Sequence, residues 1–210
     1  MLDSGNHFVS RRAFGIGALA GVAAAPAALA APPITAESPI GPFFPVSYRG
    51  ERDADLTHIA GHASRARGQV IQITGRVLDR LGKPVSGAQV KLWQANAAGR
   101  YAHPQDPAVM PLDPDFQGYA DLVTGADGSW SLTTVKPGSY DSPIGRRPSH
   151  IHFDVSGREA RTILQLYFPE DAPANAVDPL YKQLGSDAPT SVASALGDWR
   201  YGWDIVLIEG

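Results

Sequence analysis

His150 and His152 stand two residues apart in Arg147-Pro148-Ser149-His150-Ile151-His152-Phe153. On a strand, positions i and i+2 share a face. An extended segment would therefore set two imidazoles side by side as half a metal site. The same pair would equally serve as structural histidines, one solvated and one facing a core. Tyr101, after Gly99-Arg100, and Tyr140, after the Pro137-Gly138 turn, are the other candidates. A loop tyrosine is ordinarily a packing or rim residue. As phenolates, two of them would offer hard anionic oxygen, and with two imidazoles that donor set favours Fe(III) over Fe(II) or Zn(II). The preference requires the four side chains to converge, which spacing alone does not establish. The chain has no cysteine, so thiolate ligands, a Cys nucleophile and a disulfide framework are excluded.

The elements that must carry these residues read as short strands. Val70 to Asp79, Ala88 to Gln94, Ser129 to Val135, His150 to Val155 and Thr162 to Phe168 are rich in β-branched residues with rough alternation. Trp203 to Ile208 reads as a last strand, and Ser191 to Leu196 as a short helix. Turn signals separate them at Gly82-Lys83-Pro84, Gly125 to Gly128 and Lys136-Pro137-Gly138. The 22 Gly and 18 Pro are spread without a period. The pattern predicts an all-β fold, an antiparallel β-sandwich with long irregular loops and little helix. Residues 31 to 68 read as an extended arm that wraps the sandwich or reaches a partner subunit, and 69 to 210 as the sandwich itself. A net charge of -3, without a Lys/Arg run, gives no footprint for nucleic acid.

The first thirty residues read as an address. Ser10-Arg11-Arg12-Ala13-Phe14 precedes an uncharged stretch from Gly15 to Ala31, and Ala28-Leu29-Ala30 supplies the small residues of a cleavage site. The paired arginines resemble a twin-arginine export signal. The apolar stretch is short and weakly hydrophobic, which disfavours a membrane anchor. The expectation is a bacterial protein exported to the periplasm or beyond, with no stable membrane span after cleavage, and a mature chain starting near Ala31.

Four longer motifs go beyond spacing. Trp93-Gln94-Ala95-Asn96-Ala97-Ala98-Gly99-Arg100-Tyr101, Pro111 to Gly118, Thr134 to Tyr140 and Arg147 to Phe153 resemble the intradiol ring-cleavage dioxygenases, closest to the protocatechuate 3,4-dioxygenase catalytic type. Gly41-Pro42-Phe43-Phe44-Pro45 is similar to the family's leading segment. The resemblance runs from about Ser38 to Leu207. It implies one Fe(3+) per chain, held by Tyr101 and His150 in equatorial positions and by Tyr140 and His152 in axial ones, with a hydroxide as fifth ligand. It also implies a catechol-type substrate that displaces Tyr140 and the hydroxide, and O2 as co-substrate. The product would be a muconate-type diacid. Arg147 matches an arginine beside the substrate ring, and Gln165 a glutamine near it, although strand hydrogen bonding would also explain Gln165. Trp93 and Tyr167 match aromatic positions around the site.

The chain departs from the pattern after Tyr140. Only Asp141 to Arg146 separate it from Arg147, and Ser142 stands where protocatechuate-type enzymes carry an aromatic residue. Arg146 would suit a substrate carboxylate but reads better as a solvated surface residue. His58, His62 and His103 match no ligand position, and Asp113 and Asp115 lack the spacing of a calcium loop. Two rival readings remain: a metal-free β-sandwich assembly subunit, whose mark would be lost ligands, and a zinc or copper protein. A homo-oligomer is the form of assembly to test.

Overall fold

The computed structural model describes residues 1–2 and 31–210, so the export-signal expectation lies outside the described residues. Two sheets form the sandwich. The first is built on β1 (Val70–Leu78), whose one edge pairs antiparallel with β4 (Ser129–Val135). Its other edge is shared by two short strands in succession. β10 (Arg200–Gly202) takes Gln72 to Thr74 and β11 (Ile205–Val206) takes Val77 and Leu78, both in parallel. β9 (Ser194–Gly197) completes this sheet as the hairpin partner of β10. The second sheet runs β3 (Tyr119–Val123), β2 (Gln89–Trp93), β7 (His150–Ser156), β8 (Arg161–Tyr167), all antiparallel. The all-β sandwich expectation stands, with a mixed first sheet in place of a purely antiparallel one.

The helix expected over Ser191 to Leu196 is absent. Ser194 to Gly197 is extended, because Asp198 and Trp199 both take positive φ and fold β9 back onto β10. Helix lies earlier, in the Pro169 to Pro189 segment. It consists of α1 (Ala172–Asn175) and α2 (Pro179–Gln183), flanked by 3-10 helix over Pro169–Asp171 and Gly185–Ser191. Asp178 caps α2, its side chain accepting from the Tyr181 amide, and Pro179 follows at the first helical position. No helix among the described residues is long and apolar enough to cross a membrane.

Alternation sets what the sheets bury. On β1, Ile71 and Ile73 turn inward and meet Trp130 and Leu132 of β4 within one cluster. On β7, Ile151, Phe153 and Val155 enter the same core, and Phe153 packs between Trp130 (ring centroids 5.5 Å) and Trp203 (5.1 Å). His150 and His152 therefore point to the opposite face of the second sheet. That face is covered at this end by a smaller aromatic cluster of Trp93, Tyr101 and Tyr119, with Phe43, Phe44, Tyr48 and Tyr140 against it. Backbone hydrogen bonds join residues 31 to 68 to both sheets. Thr35 N donates to Val206 O, Ser38 N to Ile163 O and Leu56 N to Thr133 O.

Candidate metal centre

Three strands of the second sheet, one loop and a two-stranded ribbon bring the candidate residues together. On β7, the register pairs His152 with Trp93 of β2 and with Gln165 of β8, and His150 with Tyr167 of β8. Cross-strand neighbours of this kind touch, so five side chains singled out in the sequence (His150, His152, Trp93, Gln165 and Tyr167) lie side by side. Tyr101 arrives on the loop after β2. Asn96 shapes that loop, its Oδ1 accepting from Ala98 N (2.9 Å) and Arg100 N (3.0 Å). Gly99, at φ +82°, has no Cβ to strike the Ser139 carbonyl, so the Tyr101 loop seats against the segment leading to Tyr140.

Tyr140 is not in an open loop. It starts a two-stranded ribbon, β5 (Tyr140–Ser142) and β6 (Gly145–Arg147), in which Tyr140 pairs directly with Arg147. The short stretch between these residues is thus a tight hairpin that puts both on one face.

The donor atoms converge. His150 Nε2 lies 3.2 Å from His152 Nε2 and 3.4 Å from the Tyr140 hydroxyl. The Tyr101 and Tyr140 rings meet edge-on at 5.4 Å, and Tyr101 lies 6.2 Å from the His152 ring. The Tyr101 hydroxyl is buried without a hydrogen-bond partner. His150 Nδ1 lies 2.7 Å from Pro148 O. A carbonyl only accepts, so Nδ1 carries the proton and Nε2 presents its lone pair inward. His152 is held differently: its ring stacks on Trp93 at 5.0 Å and 8°, and its Nδ1 has no partner. Its tautomer is free to follow whatever binds at Nε2.

Electrostatics agree with a centre that is electrically neutral without metal. Burial, then the Arg147 charge, pushes His150 well below its ordinary value and His152 down to about 3. Burial pushes the Tyr101 phenol well above 10 and that of Tyr140 upward, the latter against the pull of Arg147. Two neutral imidazoles and two protonated phenols around one point, one hydroxyl orphaned, fit a cation that can deprotonate the phenols. A hard trivalent ion suits that set best.

A pH dependence follows for the metal-free chain. In the unfolded state the two histidines titrate near 6.5, and in the folded state well below. Their contribution is complete above about pH 6.5 and lost as pH falls below it, at up to ~1.4 kcal/mol per pH unit per histidine. Urea unfolding of the metal-free protein should show its midpoint dropping between pH 6.5 and 4.5. A flat profile would mean that the imidazoles are not buried.

Arg147 and Gln165 lie beside the two histidines and bond to each other, and they bring in a residue that the sequence reading missed. Arg147 Nε donates to Asp178 Oδ1 (2.8 Å) and its Nη2 to Gln165 Oε1 (2.7 Å). The Tyr167 hydroxyl lies 3.0 Å from both Gln165 Oε1 and Asp178 Oδ2. Gln165 Nε2 donates to Pro39 O of the arm (3.2 Å). Asp-Pro at 178–179 signals a helix start in sequence, but nothing there reveals a buried partner for Arg147.

The arm closes the site. Gly41 lies against the His152 ring, where a Cβ would come 3.1 Å from Cε1. Phe43 packs on Tyr101 at 4.7 Å, and Phe44 edge-on to Trp93 at 4.9 Å. Other candidates fall away. Arg146 is exposed and bonded to Asp141 (3.2 Å) and Ser139 (2.7 Å). His62 pairs with Asp115 at 2.9 Å, and Asp113 accepts from Arg67 N. His103 packs on Phe43 at 5.7 Å without joining the donors.

Comparison with known proteins places the chain among dioxygenases. A family profile described as dioxygenase matches residues 40–208. The protocatechuate 3,4-dioxygenase beta chain of Burkholderia cepacia is 43% identical over 174 residues, 75% of this chain and 72% of that one. A hydroxyquinol 1,2-dioxygenase of Rhizobium sp. is 35% identical over 121 residues, 51% of this chain and 40% of that one. Among solved structures, the dioxygenase domain of a dioxygenase carbohydrate-binding protein fusion from Streptomyces sp. SirexAA-E aligns with a TM-score of 0.64 at 27% identity. It covers 85% of this chain and 100% of that one.

Proposed function

Because this chain belongs to the intradiol dioxygenase family, we propose that it is a non-haem Fe(III) enzyme that uses O2 to cleave a catechol-type ring between its two hydroxylated carbons, giving a muconate-type diacid. The observation that carries this reading is the convergence of His150, His152, Tyr101 and Tyr140 in one aromatic cluster, with three of the four buried and the imidazole nitrogens 3.2 Å apart. Those four residues would hold the iron. Bound Fe(III) would supply Lewis acidity toward both catechol oxygens and make the ring reactive to O2.

The remaining roles belong to this chain's own side chains. His150, its tautomer fixed by Pro148 O, is the rigid donor. Tyr140, on the short ribbon, is the donor suited to leave and to accept a catechol proton at its hydroxyl oxygen. Arg147 offers a fixed cation to charge developing on the ring. Burial opposes that charge, but the Asp178 carboxylate on Nε offsets it, and the guanidinium stays protonated. Both ends of the Gln165 amide are engaged, which supports a role in holding Arg147 and the arm more than one in touching the ring. Phe43 and Phe44 exclude water from the pocket.

The iron-loaded protein should be red to brown through tyrosinate-to-iron charge transfer. Oxygen uptake should follow addition of a member of a panel of catechol, protocatechuate, hydroxyquinol and alkylcatechols, with a muconate-type product. A colourless iron-loaded protein, or cleavage beside the hydroxyls, overturns the proposal. Tyr140→Phe should retain iron yet slow substrate binding by about 10²-fold or more. Unchanged affinity and turnover would remove Tyr140 from the proton-accepting role. The proposal extends to export on the leader pattern alone, and N-terminal sequencing of secreted protein should begin near Ala31 rather than at Met1.

A further inference from the structure

We infer that Asp178 is a positioning residue for this reaction: its carboxylate fixes the orientation and balances the charge of the Arg147 guanidinium beside the metal centre. The inference rests on the function proposed above. Asp178 is fully buried and lies 31 residues from Arg147 in sequence. Its Oδ1 accepts from Arg147 Nε (2.8 Å). Its Oδ2 accepts from Tyr181 N (3.1 Å), lies 3.0 Å from the Tyr167 hydroxyl and 3.5 Å from Arg147 Nη2. With Gln165 Oε1 on Nη2, one edge of the guanidinium is fully engaged. Nη1 has no hydrogen-bond partner among the described residues, which leaves its two N–H groups as the edge available to a bound ring. A guanidinium without Asp178 would be a buried charge with no counter-ion. It would then swing toward solvent, out of its working position.

Asp178 also caps α2, and the experiment must separate the two tasks. Asp178→Asn keeps an oxygen for the Tyr181 amide and removes the charge. In the iron-loaded full chain it should lower kcat for the turned-over catechol by roughly 10–100-fold. Iron per chain and the anaerobic Kd of that catechol should stay within about threefold of wild type. Arg147→Lys added to Asp178→Asn should cost much less than it does alone, because both changes release the same constraint. Wild-type kcat in Asp178→Asn overturns the inference, as do additive losses. Loss of iron in step with kcat also overturns it by making the role merely structural.

If Asp178→Asn does not fold, hydrogen exchange at Arg147 Nε–H decides. It is read by 15N NMR in wild-type protein loaded with diamagnetic Ga(III). Protection of about 10²-fold or more over an exposed arginine is expected, and exchange at the exposed rate overturns the ion pair. Wild-type protein without ring cleavage would refute the proposed function and this inference with it. Wild-type cleavage with an unimpaired Asp178→Asn variant refutes only the role of Asp178.

Discussion

His150→Ala should yield a folded protein with less than about a tenth of the wild-type iron and ring cleavage reduced by roughly 10³-fold or more. His150 is the donor whose orientation is set twice, by its Nδ1–H to Pro148 O (2.7 Å) and by its register opposite Tyr167. Its Nε2 is also the atom from which both His152 Nε2 and the Tyr140 hydroxyl are within 3.4 Å. Alanine there leaves a wet or empty gap among the three other donors, and no His, Asp or Glu cluster among the described residues offers a replacement site. The fold should survive, because the face that β7 turns to the main core carries Ile151, Phe153 and Val155 and is untouched. Iron analysis and the visible charge-transfer band at equal protein concentration check the first part, and far-UV circular dichroism the second. Full iron content in the variant would remove His150 from the ligand set.

Arg147→Leu should be the most damaging change that touches no donor. It leaves Asp178 as a buried carboxylate without its cation. Breaking a buried pair in this way costs about 3–5 kcal/mol, which for a domain of this size lowers Tm by roughly 10 °C. Turnover should also fall by about 10²-fold or more, since the fixed cation beside the reacting ring is lost. The double variant Arg147→Leu with Asp178→Leu should regain part of the Tm and none of the turnover, because it removes the orphan charge without restoring the cation. Differential scanning calorimetry beside oxygen uptake separates the two effects. Recovery of turnover in the double variant would show that Arg147 acts only on stability.

The sequence made the donors legible for a physical reason: β7 is a strand, and strand periodicity alone puts His150 and His152 on one face. β1, β4 and β8 were legible through their β-branched alternation. β3 was not, because Tyr119 to Val123 has no such run and is placed by its pairing with β2. The Ser191 to Leu196 helix failed because local composition was overridden by a hairpin in which Gly197, Asp198 and Trp199 all take positive φ; Gly197-Asp198 is a turn signal, but Trp199 is a residue type that rarely adopts that conformation. Convergence of the tyrosines was legible only through family resemblance, since it depends on Gly99 meeting Ser139 across a loop. Asp178 was invisible because its importance comes from burial beside a residue 31 positions away.

The β5–β6 ribbon has a consequence for altering substrate range. Tyr140 and Arg147 are cross-strand partners, and the turn between their strands is Pro143-Ile144, with Ile144 exposed. Extra residues spliced in at that tip leave the paired register intact, so a longer loop with new wall residues for the pocket could be grafted there without moving either working side chain. One residue added between Gly145 and Arg147 would instead rotate the guanidinium to the other side of the ribbon. The tip is therefore the natural insertion point for a library that varies which ring enters, and the two strands beneath it are the part to leave alone.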